Sequence, residues 1–473
     1  MTELKKTLGG VQFFSLGFGT IVGVGWIVYM GLWFSQAGPV GTMIAFLLGG
    51  LFVSLIGLCY AELGSMYPVA GAEAAYGYRA FGQAASFAAG WAMVLMMTAV
   101  VPYVSISLAW ILDALVPGIG GPVLYTWRGQ SIQALGLAIT LGWTIWLGFL
   151  NYRGIQGAAK FQDWLTYGKI AISLVFFGLA FLGGSAANVT PGIPVAPTGG
   201  PAWGGLLAVL GVTPWFFGGF NGIPQAFEER AEGTSSRTLG LIVVASVLAA
   251  SVYYGISALA TGFAAPWQDV VKADLPVAAA FRIGFGEWVA RLVLLAGIFG
   301  IVTVGNGAMI AATRLLFALG RARMITPAFT RLHPSSGAPV AAINFVLVFG
   351  IAGAFLGKGG IAPIVNVGSA AACLAYFVSS LAVWRLRTLE PDRPRPYRIP
   401  LGVAVSLLAA GGSLFLLWSA LRQHWIDAAG SFPLEWVVIL VWTAIGYGLW
   451  LRAAPARAVM APGEQRKIVV GEV

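Results

Sequence analysis

The chain is a succession of apolar runs, each about as long as a bilayer core is thick, and this restricts its fold more than any other feature. A helix needs roughly 20 apolar residues to cross the hydrocarbon. Twelve such runs can be laid along the sequence, at approximately 10–37, 41–66, 84–116, 131–150, 162–184, 203–229, 238–265, 286–319, 340–357, 361–384, 401–421 and 435–451. In lipid each backbone N–H and C=O must be paired inside the protein, so runs of this length predict helices. With 58% hydrophobic and 9% charged residues, a soluble core could not hide so much apolar side chain. The chain reads as an all-α membrane protein with twelve transmembrane helices. The first run exceeds a signal-peptide core and no small-residue cleavage site follows it, so it is read as a retained helix.

The net charge of +10 does not call for nucleic acid, because the cations alternate from loop to loop. With a cytoplasmic N-terminus, the outer loops hold only Arg128, Lys272, Arg282, Arg291, Lys358 and Arg422. Nearly all the other lysines and arginines fall in inner loops, notably "RLRTLEPDRPRPYRIP" from Arg385 to Pro400. The positive-inside rule then predicts a multi-pass protein of the cytoplasmic membrane with both termini in the cytoplasm. That arginine-rich loop is also a seam. Residues 1–390 hold ten spans, 391–452 hold two more, and 453–473 form a short polar tail expected to be disordered. Cys59 and Cys373 both lie within apolar runs and read as buried thiols, not a disulfide.

Two spans are interrupted in the same way. The first carries "GTIVGVGW", Gly19 to Trp26, at its centre; the sixth carries "GVTPWFFGGFNGIPQAFEER", with Pro214, Gly218, Gly219, Gly222 and Pro224. They open two successive groups of five spans. Paired Gly/Pro-interrupted spans at matching positions of two halves point to a leucine-transporter-like 5+5 inverted repeat with discontinuous helices 1 and 6 and substrate at the breaks, here followed by two extra C-terminal helices. A break near Ile21 leaves carbonyls for a cationic group. The half-helix starting near Val24 aims N–H groups at the cavity, where a carboxylate can sit. The competing reading is close helix packing, because Gly19 and Gly23 have small-xxx-small spacing; the second break weighs against it.

At these residues the chain resembles the amino acid–polyamine–organocation superfamily of permeases, over its length to about Arg452. "GTIVGVGW" looks like the family's first-helix motif, with Val24 where serine is usual. "YAELGSMYPVAGAEAAYGYRAFG", Tyr60 to Gly82, is similar to its second-helix exit. "GGFNGIPQAFEER" looks like the sixth-helix motif, with Asn221 where many members carry a glutamate. "ATRLLFALGRARMITPAFTRLHP" resembles the eighth-helix exit, and "PRPYRIP" the loop before helix 11. The resemblance implies a secondary transporter for an amino acid or amine, working by alternating access. An amide at 221 cannot titrate, so no proton role is expected there.

The substrate-binding candidates are Ile21, Gly23, Val24, Gly25, Trp215, Phe217, Gly218, Phe220 and Asn221. In the family the position of Trp215 often carries an aromatic that covers the substrate; packing is the alternative role. Lys169, in "FQDWLTYGKIAISLVFF", is the basic residue placed deepest within any span. Such a group marks a functional site unless it snorkels to the interface. The resemblance implies proton coupling at Lys169, because several proton-coupled members carry a lysine there, able to donate to the helix 1 carbonyls. Glu228 and Glu229 read as an inner gate or, more blandly, as a solvated face. Glu62 is a candidate for a buried pair, and Glu73 is expected near the cytoplasmic interface.

His333 and His424 lack partners at metal-ligand spacing, so no metal is expected; no cofactor or nucleotide motif appears, and no catalytic residues are assigned. The partners expected are the substrate, a proton and the lipid bilayer, with no nucleic acid. A channel would need repeated polar rings, and an embedded enzyme would need convergent catalytic side chains. Within transport, a polyamine carrier and an amino acid exchanger are the nearest alternatives.

Overall fold

The computed structural model describes residues 8–69, 71–153, 156–194, 202–227, 230–427 and 432–470. Among them, eleven helical stretches are long and apolar enough to cross a membrane. The first is made of α1 (Gly10–Ile21) and α2 (Gly25–Val28), with residues 22–24 outside either helix. Then come α3 (Met30–Met66), α4 (Ala72–Phe81) and α5 (Gln83–Leu115). Gly38 leaves the helical region at φ 67°, just before Pro39, so the outer end of the first expected span and the whole of the second run together through a kink.

A feature absent from the sequence reading follows: an antiparallel hairpin of β1 (Val123–Trp127) and β2 (Gln130–Gln133). Its two-residue turn, Arg128-Gly129, has both φ angles positive, which suits the strand twist.

The chain continues through α6 (Ala134–Tyr152), α7 (Gln156–Gly183), α8 (Ala202–Phe217), α9 (Gly222–Gln225) and α10 (Ser236–Ala264). Next are α11 (Trp267–Val270), α12 (Pro276–Phe285), α13 (Glu287–Arg321), α14 (Val340–Ala354) and α15 (Ile361–Leu389). The last are α16 (Gly402–Asp427), α17 (Leu434–Arg452), α18 (Ala454–Ala458) and α19 (Pro462–Val470). The span expected at 340–357 is the 15-residue α14. At 1.5 Å per residue it reaches only about 22 Å, which leaves it out of the eleven.

Burial sorts the helices. The apolar windows of α5, of α1 with α2, and of α8 with α9 are 89%, 78% and 78% buried, whereas those of α6 and α17 are 28% and 17% buried. The two interrupted stretches therefore lie at the centre, and α6 and α17 face outward. Cys59 and Cys373 are free and buried.

The C-terminal end of α3, α4 and the loop after α15 are tied together by ion pairs. Glu62 on α3 is 1% exposed and accepts from Arg387 at 2.6 Å and from the Ile399 N–H at 2.8 Å, with Arg395 at 3.3 Å. Glu390 pairs with Arg79 of α4 and accepts from Tyr67 at 2.7 Å. The arginine-rich loop thus clasps α3 and α4. The tail, expected to be disordered, forms α18 and α19. Val469 is buried, and Gln465 donates to the Ala322 carbonyl at 3.1 Å. Too short to fold alone, the tail is helical because it packs on the body of the protein.

Candidate substrate and coupling site

The first break begins where β-branched residues and glycine meet. The last N–H of α1 to bond within the helix is that of Val22, to the Phe18 carbonyl; Val22 itself has ψ 89°. Helical bonding resumes when Ile27 and Val28 donate to Val24. The N–H groups of Gly25 and Trp26 are left without an acceptor inside the helix. α2 runs on through Tyr29, which keeps helical φ/ψ, into α3.

Carbonyls freed by the break are taken up by side chains from three other helices. Lys169 of α7 is 0% exposed, and its Nζ donates to the Val22 carbonyl and, at 3.5 Å, lies against that of Gly19. Thr303 of α13 donates to the Gly19 carbonyl at 2.8 Å, and Tyr254 of α10 to that of Ile21 at 2.9 Å. Lys169 therefore does not snorkel. Its remaining contacts are the Thr303 hydroxyl at 3.3 Å and the Phe18 ring at 6.0 Å. Nearer the N-terminus of α1, Asp163 accepts from Ser15 and, at 3.0 Å, from Gln12, which fixes that end of α1 to α7.

The second break is of another kind. Between α8 and α9 the chain closes on itself: Gly218 donates to Trp215, Phe220 to Phe217, Gly222 to Gly219 and Ile223 to Phe220. Glycine is required at its centre. A Cβ on Gly219 would run into the backbone of Thr20 and Ile21, so the two breaks touch there main chain to main chain. Gly300 does the same for α13: a Cβ there would lie 2.6 Å from the Gly23 carbonyl oxygen.

A cavity lies between the breaks, and six of the expected residues line it: Ile21, Gly23, Val24, Gly25, Trp215 and Gly218. Phe217, Phe220 and Asn221 stand apart from it. Phe217 packs on Phe46 and Tyr254, and Phe220 on Tyr60 and Tyr376. Asn221 donates to Glu73 of α4 at 3.2 Å. Glu228 and Glu229, the expected inner gate, lie outside the described residues.

The sequence reading missed the opposite wall: Met96, Met97, Val100 and Tyr103 of α5, Tyr254 of α10, and Val304 of α13. The one local signal was Pro102, a proline inside an apolar helix. Tyr103 meets Trp215 edge to face at 5.4 Å. The Tyr103 hydroxyl and Thr20 Oγ1 are buried without a hydrogen-bond partner, although both residues border the cavity. A polar ligand would supply what they lack. No charged side chain is among the lining residues. The free space is about 30 Å³, room for about one or two waters, so anything larger enters only when the helices part.

A multi-pass helical protein with a closed, polar-tipped cavity between two interrupted helices has the build of a small-molecule transporter. The chain belongs to the amino acid permease family, whose model matches residues 8–445. It is 27% identical over 460 residues to the branched-chain amino acid permease BcaP of Bacillus subtilis, covering 94% of this chain and 92% of that protein. It is 26% identical to the methylthioribose transporter of the same organism, over 94% of this chain and 92% of that one. To the glutamate/serine transporter AimA, also from Bacillus subtilis, it is 27% identical over 89% of this chain and 78% of that protein. The family and these relatives are transporters, not enzymes.

Proposed function

We propose that the chain carries an α-amino acid with a neutral side chain across the cytoplasmic membrane, by alternating access and coupled to protons. On this reading α14 is the ninth of twelve spans, the first ten form two inverted groups of five, and both termini are cytoplasmic. The observation that carries it is the first break, where the fully buried Lys169 Nζ holds the carbonyls of Gly19 and Val22 while Gly25 borders the cavity. The substrate carboxylate meets the N–H groups of Gly25 and Trp26, and Trp215 covers its side chain. The absence of a charged group among the lining residues favours a neutral side chain over a cationic one.

Lys169 takes the coupling role. As an ammonium it donates to the α1 carbonyls; once deprotonated it has fewer donors and no charge, and the inner half of the first span is free to swing. A thermal-shift screen against the amino acids and common amines tests the substrate. Counterflow of labelled leucine in proteoliposomes, with the label recovered chemically unchanged, tests transport. Stabilisation by putrescine and by no amino acid would overturn the reading.

A further inference from the structure

With Asn221 in the sixth span, the sequence predicts no titratable group at the second break. The fold supplies one from elsewhere. Glu73, expected near the interface, is 0% exposed, and its two carboxylate oxygens accept from Asn221 Nδ2 and Gln225 Nε2, each at 3.2 Å. Tyr60, whose hydroxyl accepts from Ser379 at 3.2 Å, is a further neighbour. Gln225 belongs to α9, and Asn221 is the residue just before it. The carboxylate of α4 is therefore a polar tie to the inner half of the sixth span, which otherwise packs on α1 and α13.

Two acceptors in the cluster lack a hydrogen, and a carboxyl O–H can supply one of them. Asn221 Oδ1 and Gln225 Oε1 are both buried with no donor to accept from. A neutral carboxyl supplies that donor, because rotating either amide about its last bond turns an orphaned oxygen toward the O–H. An ionised one leaves both oxygens empty and a charge in a dry site, which is costly.

The other titratable groups facing Glu73 are Tyr60 of α3, Tyr76 on its own helix and Tyr376 of α15. Among the described side chains, the cations on the packed helices are Arg291, Arg314 and Arg321 of α13, Arg385 and Arg387 of α15, and Lys467 of α19; Arg79, on α4 itself, pairs with Glu390. Glu73 lies in the first turn of α4, where the helix dipole favours the anion. Burial is the larger influence and raises its carboxyl above the ordinary range.

We propose that Glu73 is a proton-binding group of the inner gate, neutral while α9 seals against α4 and ionised when that contact opens. On opening, water reaches the carboxyl, the O–H bond breaks, and the proton leaves to the inner side. Return of the proton lets the gate reseal. This rests on the transport reading for its purpose, but the proton site itself can be tested without any substrate.

The first measurement is infrared difference spectroscopy of the full-length protein in liposomes, titrated between about pH 5 and pH 8. A carboxylic C=O band that titrates in the parent and is missing in Glu73→Gln is expected; the same band undiminished in that variant overturns the proposal. Should Glu73→Gln not fold, Gln225→Leu, which removes the Nε2 donor to Glu73, replaces it. Removing a donor to the anion shifts the midpoint of the band upward, and an unmoved midpoint overturns the proposal. The second measurement is leucine counterflow over the same pH range. Glu73→Gln is expected to exchange leucine with one component of its pH dependence lost, the component carried by Lys169 remaining; a pH profile identical to the parent's refutes a gating role. If the parent neither binds nor exchanges leucine while the infrared band still disappears in Glu73→Gln, the substrate reading has failed and the proton site stands.

Discussion

The two interrupted spans solve one problem in opposite ways. A helix broken inside a membrane must find partners for the backbone groups it frees. The sixth span finds them locally: its turn from Trp215 to Ile223 pairs with itself, and only then is its inner half tied to Glu73. The first span finds almost none locally. The carbonyls of Val22, Gly19 and Ile21 take donors from Lys169, Thr303 and Tyr254, each on a different helix, and only that of Ile21 has a local partner as well, the Gly23 N–H. A self-satisfied turn is a fixed corner. A break held by side chains from elsewhere can be released when one of them changes state. The comparison assigns switching at the first span to the break itself; in the sixth span the turn gives shape, and any change of state is confined to the tie between Glu73 and the residues after the turn.

The strongest way to break that assignment is to remove the cation. Lys169→Ala leaves the Val22 carbonyl without its donor, and an orphaned buried group costs about 1–3 kcal/mol. The variant is expected to keep some leucine binding, measured by thermal shift, and to lose accumulation driven by an imposed pH gradient, with no rescue by added sodium. Accumulation equal to the parent's would make Lys169 a structural anchor and move the switch elsewhere.

Next is the contact between the breaks. Gly219→Ala places a methyl group against the main chain of Thr20 and Ile21, where neither side can yield by a rotamer change. Overpacking of this kind costs about 1–3 kcal/mol. Leucine affinity should fall about tenfold or more by calorimetry. Gly25→Val adds the same insult from the other side, against a Phe216 ring already wedged at 4.9 Å from Trp33. Either variant binding like the parent would show that the breaks are not held as tightly as their packing implies.

The sequence disclosed the first break more fully than the second because its chemistry is local. Glycines amid β-branched residues cannot make a good helix, and a lysine inside "YGKIAISLVFF" has few places to put its charge. The partner of the second break was illegible. Glu73 sits in "GAEAAYGYRAF", a stretch of small and aromatic residues between two spans that reads as lying near the interface, and nothing in its neighbours says that α4 folds back under α9. The α5 wall was hidden for the opposite reason. Met96, Val100 and Tyr103 are residues that any buried helix would carry, so a cavity wall and a core face look alike in sequence. Helical order in the tail was hidden too, since it comes from packing against α4 and not from its own composition.

Trp215 tests whether the second break contributes contact as well as shape. Its indole is 6% exposed, borders the cavity and packs on Tyr103. Trp215→Ala should weaken leucine binding by about 1–2 kcal/mol through lost apolar contact, and Trp215→Phe by less. An unchanged dissociation constant in the alanine variant would reduce Trp215 to packing, and the second break would then be a corner only.

The smallest expected effect separates the supports of the first break from one another. Thr303→Val keeps the side-chain shape and removes a hydroxyl that donates to the Gly19 carbonyl and accepts from Lys169. Gly19 retains only the longer Lys169 contact, so about 1 kcal/mol should be lost, near fivefold in leucine affinity. The informative quantity is the interaction term in a double-mutant cycle with Lys169→Ala. If the lysine and the threonine hold α1 as one network, the second substitution costs little once the first has been made, and the two losses are non-additive. If the losses add, Thr303 is an independent strut, and releasing Lys169 would leave the Gly19 end of the break in place. That result would confine the moving part to Val22 and the residues after it, and would falsify a switch in which the whole inner half of the first span is set free by one proton.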